Sequence, residues 1–251
     1  MRTKRAIRGT PLSRIRDLVD LFAASSPARF AIVIFTALIL VFTALLSLPI
    51  ATASRVATPL ADAFFTAVSS ICVTGLNTVN MATHWSTFGN VVILIGLEVG
   101  GIGVMTLASM LGFIVSRKLG LRARLMAASD SNAGRMHVGP VSESQAIRLG
   151  EIGGLLATVA ISVFAIELML TALFVPRLIL AGSNPWQALW EGFYFATSAF
   201  TNTGFVPHTA GLAPFATDPW MLGTIAIGVF VGSLGFPVIF ALARRLRKPG
   251  R

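Results

Sequence analysis

The stretches Phe65-Thr66-Ala67-Val68-Ser69-Ser70-Ile71-Cys72-Val73-Thr74-Gly75-Leu76 and Tyr194-Phe195-Ala196-Thr197-Ser198-Ala199-Phe200-Thr201-Asn202-Thr203-Gly204-Phe205 are two versions of one pattern. Each is a short amphipathic segment that runs into Thr-Gly and a bulky apolar residue, between two long hydrophobic spans. Neither segment reaches the roughly 20 helical residues that a bilayer crossing takes, and both are too apolar for an ordinary external loop. Non-helical backbone at membrane depth survives only where protein buries it or water reaches it. Both therefore read as re-entrant segments, a half-helix followed by an extended strand.

Composition agrees. Apolar residues make up 55% of the chain and charged ones 12%, against roughly 25% charged in a soluble domain, and mean hydropathy is +0.79. The formal net charge of +10 would suit nucleic acid, but its distribution points elsewhere. Basic residues gather in three places: Arg2, Lys4, Arg5, Arg8, Arg14 and Arg16; then Arg117, Lys118, Arg122, Arg124, Arg135 and Arg148; then Arg244, Arg245, Arg247, Lys248 and Arg251. Only Arg55 and Arg177 fall in the alternate connections, with Arg29 at a membrane edge. That positive-inside pattern puts both termini and the central linker in the cytoplasm of a multi-pass cell-membrane protein, where basic tails also meet anionic lipid. No nucleic-acid partner is expected.

Nearly uncharged runs at 28–50, 88–115, 149–175 and 219–243 supply four spans, with re-entrant segments at 61–72 and 190–201. The expected architecture is all-α, with two helix–pore loop–helix repeats. A basic N-terminal segment 1–27 precedes a first repeat 28–115; a basic linker 116–148, a second repeat 149–243 and a basic tail 244–251 follow. Landmarks recur at a near-constant offset. Leu48-Pro49 and Val175-Pro176 close spans one and three, Asp62 and Glu191 open the re-entrant segments, and Thr74-Gly75 matches Thr203-Gly204. Gly100-Gly101-Ile102-Gly103 likewise matches Gly232-Ser233-Leu234-Gly235. Repeats of this kind build a central path from related pieces. Ala51-Thr52-Ala53 looks like a signal-peptide cleavage site, but the apolar run before it is about twice the usual h-region of roughly 7–15 residues, so the first span is expected to stay.

A cation entering a filter exchanges its water for protein oxygens, and backbone carbonyls provide these without fixed charge. Turning successive carbonyls one way takes unusual backbone angles, which Gly tolerates for want of a Cβ. The candidate filter residues are Val73, Thr74, Gly75 and Leu76 with Asn202, Thr203, Gly204 and Phe205, each set at the partially negative C-terminal end of its half-helix. Asp62 and Glu191 are expected at the positive N-terminal ends. Capping is the favoured reading for these acids, and a cation-attracting ring at the external mouth is the other.

The run Ala67-Val68-Ser69-Ser70-Ile71-Cys72-Val73-Thr74-Gly75-Leu76, with Gly100-Gly101-Ile102-Gly103-Val104-Met105-Thr106 after it, resembles the first repeat of the Trk/Ktr/HKT superfamily of potassium transporters. Ser198-Ala199-Phe200-Thr201-Asn202-Thr203-Gly204-Phe205 and Gly232-Ser233-Leu234-Gly235-Phe236-Pro237 resemble the second, and Lys118-Leu119-Gly120-Leu121-Arg122-Ala123-Arg124-Leu125 the family's cytoplasmic connection. The resemblance implies uptake of a monovalent cation through four such loops, usually K⁺, with Gly75 favouring K⁺ over Na⁺. It implies no cofactor, and assembly as a homodimer on a cytoplasmic ring of nucleotide-binding regulatory subunits. Family chains carry four repeats and this sequence two, which leaves the gating loop of the third repeat and the basic residue of the fourth without counterparts. A second copy, a complementary half-transporter chain or truncation of a longer chain would account for this. The difference between the two loops favours the last two. The alternative function is a non-conducting membrane scaffold or a truncated remnant of such a transporter.

Glu98, beside Gly100-Gly101, and Glu167, within the third span, are costly acids in lipid. A place on the permeation path and pairing with a buried polar neighbour are equally open for both. Glu151 reads as interfacial. Gly96, Gly100, Gly101 and Gly103 are first a device for close helix packing, and Pro237 should kink span four. The single Cys72 excludes an intramolecular disulfide and reads as a small buried residue. His84, His137 and His208 have no metal-ligand spacing, and the glycine runs follow no soluble strand and so make no nucleotide loop. With no His base beside Ser69, Ser70 or Ser198, neither an enzyme nor a metal site is expected.

Overall fold

The computed structural model describes residues 27–107, 149–208 and 210–247. The linker 116–148, His137 and nearly all of the N-terminal segment lie outside that set. Helix α1, Pro27–Leu46, is apolar apart from Arg29, Thr36 and Thr43 and stops because Pro49 holds Leu48 in an extended conformation, starting a short 3-10 turn at Pro49–Ala51. Helix α2 covers Leu60–Ile71. Helix α3, Met81–His84, is capped by Asn80, whose side chain accepts from the N–H groups of Ala82 and Thr83. Helix α4 covers Thr87–Leu107, α5 Leu149–Leu180, α6 Pro185–Phe200 and α7 Pro219–Arg247. Among the described residues there is no strand, only an isolated antiparallel bridge between Thr52 and Trp85.

The chain is thus mostly helical, and α4 and the Ala157–Leu180 part of α5 are each long and apolar enough to cross a membrane. Ala31–Leu46 and Pro219–Gly235 are shorter apolar runs. Three boundaries differ from expectation. Helix α5 passes through Pro176 and ends where Gly182 turns left-handed at φ 101°, with Ser183 N–H donating back to the Leu178 carbonyl at 3.1 Å; a glycine cap, not the proline, ends this helix. Helix α6 starts at Pro185, ahead of the expected 190, because the Asn184 side chain accepts from Gln187 N–H at 2.9 Å and Pro185 suits the first helical position. Helix α7 is interrupted at Gly235 (φ 71°, ψ 157°), just ahead of Pro237, whose ring disfavours helix in the residues before it. It then runs on to Arg247, so the expected tail begins inside a helix.

Packing joins the halves. One core holds Leu46, Ala67, Ile71, Ile93 and Leu97 but takes in Tyr194 and Phe205 from the second half. The other holds Leu170, Phe174, Phe195, Phe200 and Met221, with Ile102 and Met105 of α4 packed on it. At one end Arg177 Nε meets Asp218 Oδ2 at 2.5 Å, while Asp218 Oδ1 caps α7 through the N–H groups of Trp220 and Met221. Ile32, Leu40, Ile161, Leu168 and Phe230 are each more than half exposed, an apolar exterior suited to lipid. Four hydroxyls along the helices are quenched internally. Thr43 donates to the Ile39 carbonyl, Thr106 to Ile102, Thr171 to Glu167 and Thr224 to Trp220, each four residues back.

Candidate functional site

Helices α2 and α6 end by the same hydrogen-bonded device. After α2, Val73 N–H donates to the Ser70 carbonyl at 3.2 Å and Thr74 N–H to Ser69 at 2.8 Å; after α6, Asn202 N–H donates to Ala199 at 3.2 Å and Thr203 N–H to Ser198 at 3.0 Å. Both are Schellman closures, which need a left-handed residue just past the cap. That residue is Val73 (φ 57°) in one and Asn202 (φ 62°) in the other. One residue further on, Gly75 and Gly204 both have φ 78°. In each of the two extended segments, strands in backbone form though paired in no sheet, φ is therefore positive, then not positive at the threonine, then positive again.

Unusual backbone was expected at the glycines alone. Asn202 is a type that visits the left-handed region readily, and its pattern could have been read. Val73 gave no such signal, since a branched side chain there costs about 1–2 kcal/mol. Cys72, expected to be buried, is exposed, at the C-cap of α2.

The strands touch. A Cβ on Gly75 would stand 1.5 Å from the Thr203 carbonyl oxygen, so only glycine fits that contact, whereas a Cβ on Gly204 would meet nothing within 4 Å. Side chains differ in the same sense. Thr203 and Phe205 are buried, while Thr74 and Leu76 are exposed. Thr203 Oγ1 bonds to the Ser198 carbonyl at 3.3 Å and lies 3.1 Å from Thr201 Oγ1, which donates to the Thr197 carbonyl at 2.6 Å. Ser233 Oγ of α7 donates to Asn202 Oδ1 at 3.4 Å.

The C-terminal ends of α2 and α6 also rest on glycines, of α4 and α7 respectively. A Cβ at Gly100 would lie 2.3 Å from the Ile71 carbonyl oxygen, and one at Gly232 would lie 1.8 Å from that of Phe200. Close approach is what these two glycines permit.

The acids separate. Asp62 lies in the first turn of α2 and is partly exposed. Glu191 is not in the first turn of α6, because that helix starts at Pro185; it is buried and accepts from Gln187 Nε2 at 2.8 Å. Glu98 and Glu167, by contrast, come together at Thr197, whose hydroxyl donates to Glu98 Oε1 at 3.0 Å. Among the described residues no group of His, Cys, Asp and Glu has a metal-binding arrangement.

A family model described as TrkH, cation transport protein, matches residues 11–249. The chain belongs to the TrkH family. The family is one of transporters, not of enzymes. This TrkH-family chain is 29% identical over 236 residues to the Ktr system potassium uptake protein B of Bacillus subtilis, covering 92% of the chain and 48% of that protein. It is 31% identical over 219 residues to the Ktr system potassium uptake protein D of the same organism, covering 87% and 46% respectively. With the potassium/sodium uptake protein NtpJ of Enterococcus hirae it shares 28% identity over 215 residues, covering 85% and 44%. The chain spans about half the length of these curated relatives.

Proposed function

We propose that this chain carries K⁺ inward across the cell membrane as part of an uptake pore, and that it supplies two of the four loops of a cation filter. The ligands are backbone carbonyls of Val73, Thr74, Gly75 and Leu76 and of Asn202, Thr203, Gly204 and Phe205. The observation that carries this reading is the duplicated strand geometry, with left-handed backbone at matching positions and Gly75 set against the Thr203 carbonyl. Two half-helix C-termini end at these strands, adding partial negative charge where a cation would sit. Names of the relatives favour K⁺, and NtpJ brings Na⁺ in as the competing ion.

The fold proposed around the strands is two helix–pore loop–helix repeats, 28–115 and 149–243, with the termini and the linker 116–148 in the cytoplasm. Recurrence of the Gly100–Ile71 contact as Gly232–Phe200 supports the repeat. Asp62 lies where an acid would favour cations near one mouth. Glu191, buried and bonded to Gln187, instead supports α6. A second copy or a complementary half-transporter chain supplies the other two loops. The open side of Gly204, where Gly75 has a neighbouring carbonyl, is the edge that would receive one of them. A cytoplasmic nucleotide-binding subunit is the proposed regulator.

Growth rescue at low K⁺ in an uptake-deficient host tests this, with the chain alone and then joined to two further repeats. Rescue is expected for the completed form. Stable membrane assembly of that form without K⁺ flux would favour the scaffold function instead.

A further inference from the structure

A second polar cluster lies on the buried side of α6, away from the filter strands. Glu98 of α4 is 8% exposed and Glu167 of α5 0%. They face each other inside the bundle, beside Thr197 of α6. The Thr197 hydroxyl proton is committed to Glu98 Oε1. Glu98 Oε2 and both oxygens of Glu167 have no hydrogen-bond partner.

Ionised carboxylates only accept hydrogen bonds. Two of them here would leave unpaired acceptors and unpaired charge in an apolar interior, the costliest arrangement a protein can bury. Among the described residues nothing nearby neutralises them. Glu98 is the only charged group facing Glu167 among the described residues. Helix α7 has no ionisable residue from Pro219 to Gly235, α2 has only Asp62 in its first turn, Glu191 of α6 is bonded to Gln187, and Arg177 of α5 is engaged by Asp218.

We propose that Glu98 and Glu167 bind a single proton between them, so that the carboxyl O–H of one donates to the carboxylate of the other. One proton, taken from water, cancels one charge and supplies the missing donor. The site ties α4, α5 and α6 together at Thr197. From there the Thr197 carbonyl holds Thr201 Oγ1, which contacts Thr203 Oγ1 in the second strand. The acid pair is thus linked to the strand through Thr197, whose hydroxyl bonds to Glu98 and whose carbonyl accepts from Thr201. The inference depends on the acid pair alone and stands apart from whether the loops conduct.

Infrared spectroscopy of the purified full chain in lipid nanodiscs, at neutral pH, in H₂O and D₂O, tests the site. A neutral-carboxyl C=O band is expected that shifts in D₂O and is lost in both Glu98→Gln and Glu167→Gln, whose amides provide the donor that the proton provided. The band should not respond to added Na⁺ or K⁺. Its absence from the wild-type chain, a measurement that needs no variant to fold, overturns the proposal, as does its persistence in both Gln variants. Its loss on adding either ion also overturns it, by making the occupant a cation.

Discussion

At the residue scale, Gly75 and Gly204 share a backbone angle and differ in what surrounds them. A serine at either position bears the left-handed penalty of about 1–2 kcal/mol. Only at Gly75 does its Cβ also meet a backbone carbonyl, that of Thr203. In a completed assembly, Gly75→Ser should therefore weaken discrimination of K⁺ against Na⁺ more than Gly204→Ser does, as read by competition in ion uptake. Equal effects would mean that the Thr203 contact does not shape the filter. These glycines stood out in the sequence because Thr-Gly occurs twice in register. Val73 did not, since its strained angle follows from the closure of α2 and not from its own preference. The meeting of Glu98 and Glu167 was illegible for another reason: it depends on how three helices pack, which no spacing along one of them records.

At the scale of elements, two glycines of α7 make opposite predictions from their surroundings. Gly232 lies against the Phe200 carbonyl, as Gly100 of α4 lies against that of Ile71, while Gly223 has nothing within 4 Å of its Cβ position. Gly232→Val should destabilise the chain by about 1–3 kcal/mol through forced separation of α7 from α6. Gly223→Ala should stabilise it by about 0.5–1 kcal/mol through helix propensity. Thermal unfolding of the detergent-solubilised chain reads both. The glycine-rich runs could be recognised as packing devices, but not which glycine would meet which carbonyl. Hydropathy located the helices and misjudged their ends, because ends are set by caps. Asn184-Pro185 starts α6 and Gly182 stops α5, and both signals were present in the sequence, outweighed by the apolar profile.

Across the whole molecule, the two halves enclose one strand contact and leave one strand edge open. Gly204→Cys, made in a Cys72→Ser background because Cys72 is itself exposed, should react with a thiol reagent in the isolated chain. It should become protected when the remaining loops are supplied, and labelling that stays unchanged would place the added loops elsewhere. The all-helical class and the paired segments were legible from apolar runs and recurring landmarks. The asymmetry between the strands was not, because Leu76 and Phe205 are both simply bulky apolar residues until packing leaves one exposed and buries the other.

The hydroxyls that bond to carbonyls of their own helix bear on how such a chain enters lipid during synthesis. Thr43 and Thr224 need no neighbour to become compatible with hydrocarbon, so α1 and α7, which carry them, can leave the translocation machinery one at a time. Glu98 and Glu167 have no such local remedy. The helices that bear them become comfortable in lipid only together, which makes their pairing the step that commits the second half of the chain to the first.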